Sequence, residues 1–135
     1  MNDCIFCRII AGQLPSIRIH EDEAVIVIMD INPATRGHAL VIPRRHAQDI
    51  HDVAGDDLCR CATVAQEIAG RAMRHLGADG VTIMQSNGAA AWQTVLHYHV
   101  HVIPRYRGDP LVLPCQPQPG DPDAITEISK AYFQD

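Results

Sequence analysis

The sequence predicts an α+β fold: a five-stranded antiparallel sheet with one long helix packed on it and a short helix near the C-terminus. Three observations lead there. Short runs rich in Val and Ile, bounded by turn residues, recur at 17–21, 24–29, 38–42 and 81–85, as strands do. Residues 56–76 place Leu58, Cys61, Ala65, Ile68, Ala69, Ala72, Met73 and Leu76 on one helical face, the stripe of a helix lying on a core. Residues 97–103 read His-Tyr-His-Val-His-Val-Ile, closed by Pro104, and this period of two marks a half-buried strand.

In chain order, Cys4-Ile5-Phe6-Cys7 is a C-x-x-C, which reads as a redox pair, part of a metal site, or two small apolar residues in a short helix. No βαβ pattern surrounds it, which argues against a thioredoxin-type pair. A structural zinc takes four ligands, Cys₂His₂ among them, and the chain has histidines to complete such a set. Glu21-Asp22-Glu23 forms a polar turn between the first two strands, and the second strand ends at Asp30-Ile31-Asn32-Pro33. An Asp there either caps its own turn or accepts two hydrogen bonds from a vicinal diol. Arg36-Gly37 leads into His38–Ile42, stopped by Pro43; antiparallel pairing brings His38 toward the histidine strand. Arg44-Arg45-His46 is a basic strand exit.

The long helix has Asp56 and Asp57 in its first turn and Gly77 as its C-terminal stop, in line with the helix dipole and with glycine's tolerance of left-handed backbone. Cys59 and Cys61 read as small buried hydrophobes. From Ser86 to Thr94 the chain is a small-residue loop. Its Gly and Ala allow close backbone approach to a ligand, while Ser86, Asn87, Gln93 and Thr94 supply the donors a phosphate needs where no lysine is at hand. Beyond Arg105, Pro110, Pro114, Pro117, Pro119 and Pro122 punctuate an extended arm that contains Cys115. Asp121-Pro122 reads as an N-cap and first helical residue, with Ile125, Ile128, Ala131 and Tyr132 as the apolar face. The division is residues 1–108 for the domain and 109–135 for the proline-rich arm and its helix.

At 135 residues the chain suits one domain with a real core. A net charge of −5 without a Lys/Arg run argues against nucleic-acid or membrane-surface binding, so an anionic small substrate must be held by local donors. No apolar run reaches the length of a membrane span, and Met1-Asn2-Asp3 does not open a signal peptide. Five unevenly spread cysteines fit a reduced, cytoplasmic protein rather than a disulfide framework.

On the histidine strand, His97, His99 and His101 project from one face, roughly 6.6 Å apart. Imidazole can act as nucleophile, acid, base or metal ligand near neutral pH. A histidine that attacks phosphorus needs its other nitrogen to donate to an acceptor, leaving the attacking lone pair free. The middle member is the natural candidate, with neighbours that can donate to phosphoryl oxygens.

His-x-His-x-His followed by two apolar residues resembles the signature of the histidine triad (HIT) family of nucleotide hydrolases and transferases. The likeness continues through Gln93-Thr94-Val95, Gly37–Pro43 and Asp30–Pro33, and spans about residues 3–108. It implies a HIT-like fold and a homodimer with a continuous sheet. It also implies hydrolysis of a nucleotide phosphoramidate or dinucleoside polyphosphate at the α-phosphate, through a nucleotidyl-histidine, with release of a nucleoside monophosphate such as AMP. By resemblance His99 is the nucleophile, and His101 contacts the phosphate with His38 hydrogen-bonded behind it. Asp30 holds the ribose; Ile5, Phe6, Ile9, Ile28 and Ile31 wall the purine base; Gln93 and Thr94 lie near the scissile bond. Members with the N-terminal Cys pair hold a structural zinc, here matched by Cys4, Cys7, His46 and His97. The family's sugar-phosphate transferases carry Gln at the third triad position; His101 stands here, favouring water as acceptor. Where the family commonly has Gly before the Gln, this chain has Trp92. The competing readings are a zinc-containing nucleotide-binding module without turnover and a nucleotidyl transferase.

Overall fold

The computed structural model describes residues 3–134. The elements are helix α1 (Ile5–Ile10), strands β1 (Arg18–Glu21), β2 (Val25–Met29) and β3 (Ala39–Pro43), helix α2 (Gly55–His75), strand β4 (Gly80–Met84), a 3₁₀ turn (Ala89–Ala91), strand β5 (Val100–Arg105) and helix α3 (Pro122–Ala131). The strands form one antiparallel sheet in the order β1-β2-β3-β5-β4. No described helix is long and apolar enough to cross a membrane.

Alternation splits the core between the two faces of the sheet. Val25, Val27, Val41, Val100 and Val102 pack with Tyr98 against Cys61, Val64, Ala65 and Ile68 of α2. Ile26, Ile28, Leu40 and Ile42 point the other way, onto Phe6 and Ile9 of α1. Because both faces are covered, β2 is an unbroken apolar run rather than an alternating one.

Several boundaries differ from those the sequence suggests. Strand β5 begins at Val100, so His97 and His99 sit in the extended lead-in to it, with Tyr98 N–H donating to the Ala47 carbonyl (2.7 Å). Their alternation survives: Tyr98 joins the α2 side while Phe6 packs against His99 on the other. Pro43 is the last residue of β3, as expected, whereas Pro104 lies inside β5 instead of stopping it. The Arg44 N–H to Ala24 O bond makes Val25 and Pro43 a non-hydrogen-bonded pair, so the nitrogen of Pro43 faces the side where pairing with β5 has already ended at Val41. On α2, Cys61 is buried but Cys59 is exposed and Met73 is 45% exposed. Two residues along a helix is about 200° of rotation, so Cys59 and Cys61 cannot share the core stripe.

Asp22 ties the β1–β2 turn to α2. Its carboxylate accepts from the backbone N–H groups of Ala24 and Val25, from His20 Nε2 and from both Nε and Nη2 of Arg60. Burial alone would raise its pKa, but these donors outweigh burial and hold it well below the usual carboxylate range. Its stabilisation is therefore full above the unfolded carboxyl's pKa of about 3.9 and is lost as pH falls toward the depressed folded value. Asp22→Asn is expected to cost about 2 kcal/mol at pH 7, and chemical denaturation at pH 7 and pH 3 should show the gap to wild type narrowing at the lower pH.

Candidate functional site

Three side-chain–backbone hydrogen bonds assign the histidine tautomers. His99 Nδ1 lies 2.7 Å from the carbonyl oxygen of His97; a carbonyl only accepts, so Nδ1 carries the proton and Nε2 keeps a free lone pair. His97 Nε2 donates in the same way to the carbonyl of Pro43 at 2.8 Å, leaving its Nδ1 bare. His38 Nδ1 accepts the N–H of Ala34 at 3.0 Å, so its proton is on Nε2, which donates to His101 Nδ1 at 2.9 Å. His101 must then present Nε2–H outward. One ring offers a nucleophilic nitrogen and its neighbour offers a donor, with ring centroids 5.0 Å apart.

Burial keeps these rings neutral. It pushes His101 down to about 4, helped by His99 and His38 and opposed by Asp30. It also lowers His99, against the pull of the His97 carbonyl and Asp30, and lowers His38. A protonated ring would carry N–H on both nitrogens and lose the lone pair.

His99 and His101 open into a cavity of about 450 Å³. Ile5, Phe6 and Ile9 of α1 form one wall, and Ile28, Leu40 and Ile31 another, with Asp30 at the strand end. Asp30 Oδ1 accepts the Asn32 N–H, while Oδ2 is 3.6 Å from His38 Nε2, leaving it capacity for further donors. Of the loop residues expected here, Thr94 lines the cavity. Ser86, Asn87 and Gln93 do not, because the loop uses its own polar groups. Gln93 is buried and donates to the carbonyls of Gln48 and Val95 while accepting the Gly88 N–H. Asn87 Oδ1 accepts the Ile50 N–H and Gln85 Nε2, and the Ser86 carbonyl also faces Gln85 Nε2. Leu14, Pro15 and Ser16 also line it; nothing in their composition distinguishes them from an ordinary connector. Trp92 sits at φ 73° with its side chain 60% exposed, a left-handed backbone that glycine holds without strain and a bulky residue does not.

A second constellation joins α1 to the foot of the histidine segment. Cys4 Sγ is 3.3 Å from His97 Nδ1, Cys7 Sγ is 3.4 Å from His46 Nδ1, and the two Nδ1 atoms are 3.1 Å apart. With Zn–N near 2.0 Å and Zn–S near 2.3 Å, a tetrahedron has edges of about 3.3–3.8 Å, so the four atoms nearly match its corners. The bare Nδ1 of His97, held neutral with a pKa near 4 by burial, points among them, and its N–H bond to Pro43 is the outer-shell contact a metal-bound imidazole needs. Cys4, Cys7, His46 and His97 form a metal site whose donors suit zinc. Asp30, His38 and His101 also cluster, but there the Nδ1 of each ring is already accepting a proton and no lone pairs converge.

The HIT domain matches residues 11–108, most of the chain. The chain belongs to the HIT family. It is 46% identical over 108 residues to an uncharacterized HIT-like protein of Mycobacterium tuberculosis, covering 80% of this chain and 75% of that one. Against the adenylylsulfatase HINT3 of Arabidopsis thaliana it is 34% identical over 108 residues, covering 80% of this chain and 55% of that one. A crystal structure of a Zn-bound histidine triad family protein from Mycobacterium smegmatis superposes with a TM-score of 0.80 at 40% identity, over 96% of this chain and 98% of that one. The zinc-binding reading of the Cys₂His₂ set thus agrees with a metal found in a HIT relative.

A four-donor site closed to substrate gives its binding free energy to the fold. Chelation is expected to lower the melting temperature of this HIT protein, and elemental analysis should find about one zinc per chain, absent from Cys4→Ser/Cys7→Ser.

Proposed function

We propose that this HIT protein hydrolyses nucleotides at the α-phosphate, releasing a nucleoside monophosphate, with AMP the first candidate. Nucleotide phosphoramidates and dinucleoside polyphosphates are the substrate classes, and adenylyl sulfate joins them because a relative is named adenylylsulfatase. The observation that carries this reading is the bare Nε2 of His99 at the wall of an apolar cavity with Asp30 at its end. The base enters between Ile5, Phe6, Ile9 and Ile28, and Asp30 accepts from the ribose diol. His99 Nε2 attacks phosphorus, and the P–N or P–O bond to the leaving group breaks as the P–Nε2 bond forms. Nε2–H of His101, backed by His38, donates to a non-bridging oxygen and stabilises the charge gathering there. Water then displaces Nε2, freeing the monophosphate and restoring the ring.

The zinc proposed at Cys4, Cys7, His46 and His97 is structural. The working unit we propose is a homodimer: β4 is an edge strand with Ile83 half exposed, and an uncovered edge invites pairing with a second copy. Two thiols required as metal ligands, among five free cysteines, support a reducing compartment, the cytoplasm, as its location.

A panel of these substrates, scored for monophosphate release, tests the reading. His99→Ala should lower kcat at least about a hundredfold, ~2.7 kcal/mol of barrier, and wild type quenched during turnover should carry a nucleotide mass on His99. Activity within tenfold of wild type overturns the assignment. For Asp30→Ala, the ratio of kcat/KM for ribo over deoxyribo substrates should collapse toward one, since a site built for a hydroxyl rejects the analogue lacking it; an unchanged ratio reduces Asp30 to a turn residue.

A further inference from the structure

Two apolar surfaces of the chain are bare, and neither belongs to the nucleotide cavity or the metal site. One is helix α3. Asp121 caps it by accepting from the N–H groups of Asp123 and Ala124, and Pro122 opens it, so the sequence specifies a helix here. Yet Ile125, Ile128 and Tyr132, on one face, are 56%, 62% and 85% exposed. A ten-residue helix is marginal in water unless its apolar face is covered.

The other surface is a groove of about 410 Å³ beside the C-terminal half of α2. Its floor includes Met29, Ile68, Ala72 and Leu76, and Arg36, Arg71 and His75 stand around it. The side chains of Arg71 and His75 make no ion pair or hydrogen bond among the described residues. The exposed helix carries the opposite sign: Asp121, Asp123 and Glu127 against the single Lys130.

The arm decides which molecule's groove is filled. It is anchored where Arg105 and the Tyr106 N–H hold Asp109. Pro110, Pro114, Pro117 and Pro119 follow before the cap at Asp121. Proline-rich spacers extend by about 3.1 Å per residue, so twelve residues reach roughly 35 Å, and every described residue from Val112 to Gln134 is exposed. The arm holds α3 off its own body. We propose that α3 of one copy docks its Ile125–Ile128–Tyr132 face in the α2 groove of a second copy, with Arg36 and Arg71 facing its carboxylates. Two such contacts related by a two-fold axis close on themselves. The inference rests on the two-chain unit proposed above and adds the contact that locks it.

The full-length protein is compared as wild type, Ile128→Lys and Arg71→Glu; both substituted residues are exposed, so the fold is undisturbed. Sedimentation gives the dimer Kd and hydrogen exchange gives the protection of α3 amides. In wild type the protection of 122–132 should rise with protein concentration as dimer forms. Arg71→Glu should remove that protection although it lies outside α3, and each variant should weaken the dimer about tenfold, ~1.4 kcal/mol. An equimolar mixture restores one intact contact per pair and should recover part of the protection. Concentration-independent protection, which means docking on the same chain, overturns the proposal. So does a dimer whose Kd and α3 exchange are the same in all three proteins. A wild type monomeric at every concentration removes the two-chain unit itself, an outcome distinct from a dimer with free arms.

Discussion

The hydrogen bond from His99 Nδ1–H to the carbonyl of His97 is the contact on which the proposed chemistry depends. A neutral imidazole has two tautomers, and only one leaves the cavity-facing nitrogen unprotonated. Here the acceptor is a main-chain oxygen two residues upstream, so the segment that carries the proposed nucleophile also sets its proton. Pro43 does the same for His97, and Ala34 for His38 and, through it, His101. No carboxylate is needed behind the proposed nucleophile, which leaves Asp30 available to a substrate. Burial is the other half of the device, since in water these rings would share protons near neutral pH and their tautomers would be free to exchange.

The two faces of the sheet divide the labour. Small and β-branched residues pack it against α2, giving a close-packed slab that holds the backbone acceptors in place. The opposite face meets α1, a helix of six residues, with Leu14 and Val95 beside it, and so keeps room for a cavity. That short helix is held by more than apolar contact, with Arg18 Nη2 donating to the Ile9 carbonyl at 2.7 Å. The C-x-x-C that begins it is tied to His46 and His97, and the Phe6 it brackets packs edge-on to both His97 and His99, with centroids 5.8 and 5.1 Å apart. The metal site therefore supports one wall of the cavity and the ring of the proposed nucleophile through one side chain.

Much of this was legible in the sequence. Alternation at 97–103 carried the histidines to one face, and the unbroken β2 run announced a strand covered on both sides. Pairing of Leu40 with His101 put His38 where antiparallel geometry required. What composition could not show was long-range partnership. The zinc-type set draws ligands from Cys4 and Cys7, then His46, then His97, and only the family likeness joined them. The polar loop residues illustrate the opposite failure. Asn87 and Gln93 look like ligands for a phosphate because they are donors beside the triad, yet Gln93 donates to the carbonyls of Gln48 and Val95 and accepts the Gly88 N–H, while Asn87 pairs with Gln85 and accepts the Ile50 N–H. Cys59 was misplaced by counting cysteines as core without checking its helical phase.

Trp92 shows a local rule broken at a functional loop. The reciprocal bonds between Gly88 and Gln93, backbone and side chain together, close the turn, and Trp92, the last of the four residues between them, takes left-handed backbone. Glycine fits that geometry at no steric cost, which gives a physical reason for the Gly that the family resemblance leads one to expect at this place. An L-residue with a large ring holds it only at a cost of order 1–2 kcal/mol, and this ring is mostly in water. The closure cannot relax to relieve Trp92, because Gln93 also fastens the loop to Gln48 and Val95, and Thr94 must remain in the cavity wall. The strain at Trp92 is thus set by the same bonds that place Thr94, and the loop trades backbone comfort at one residue for the position of the next but one.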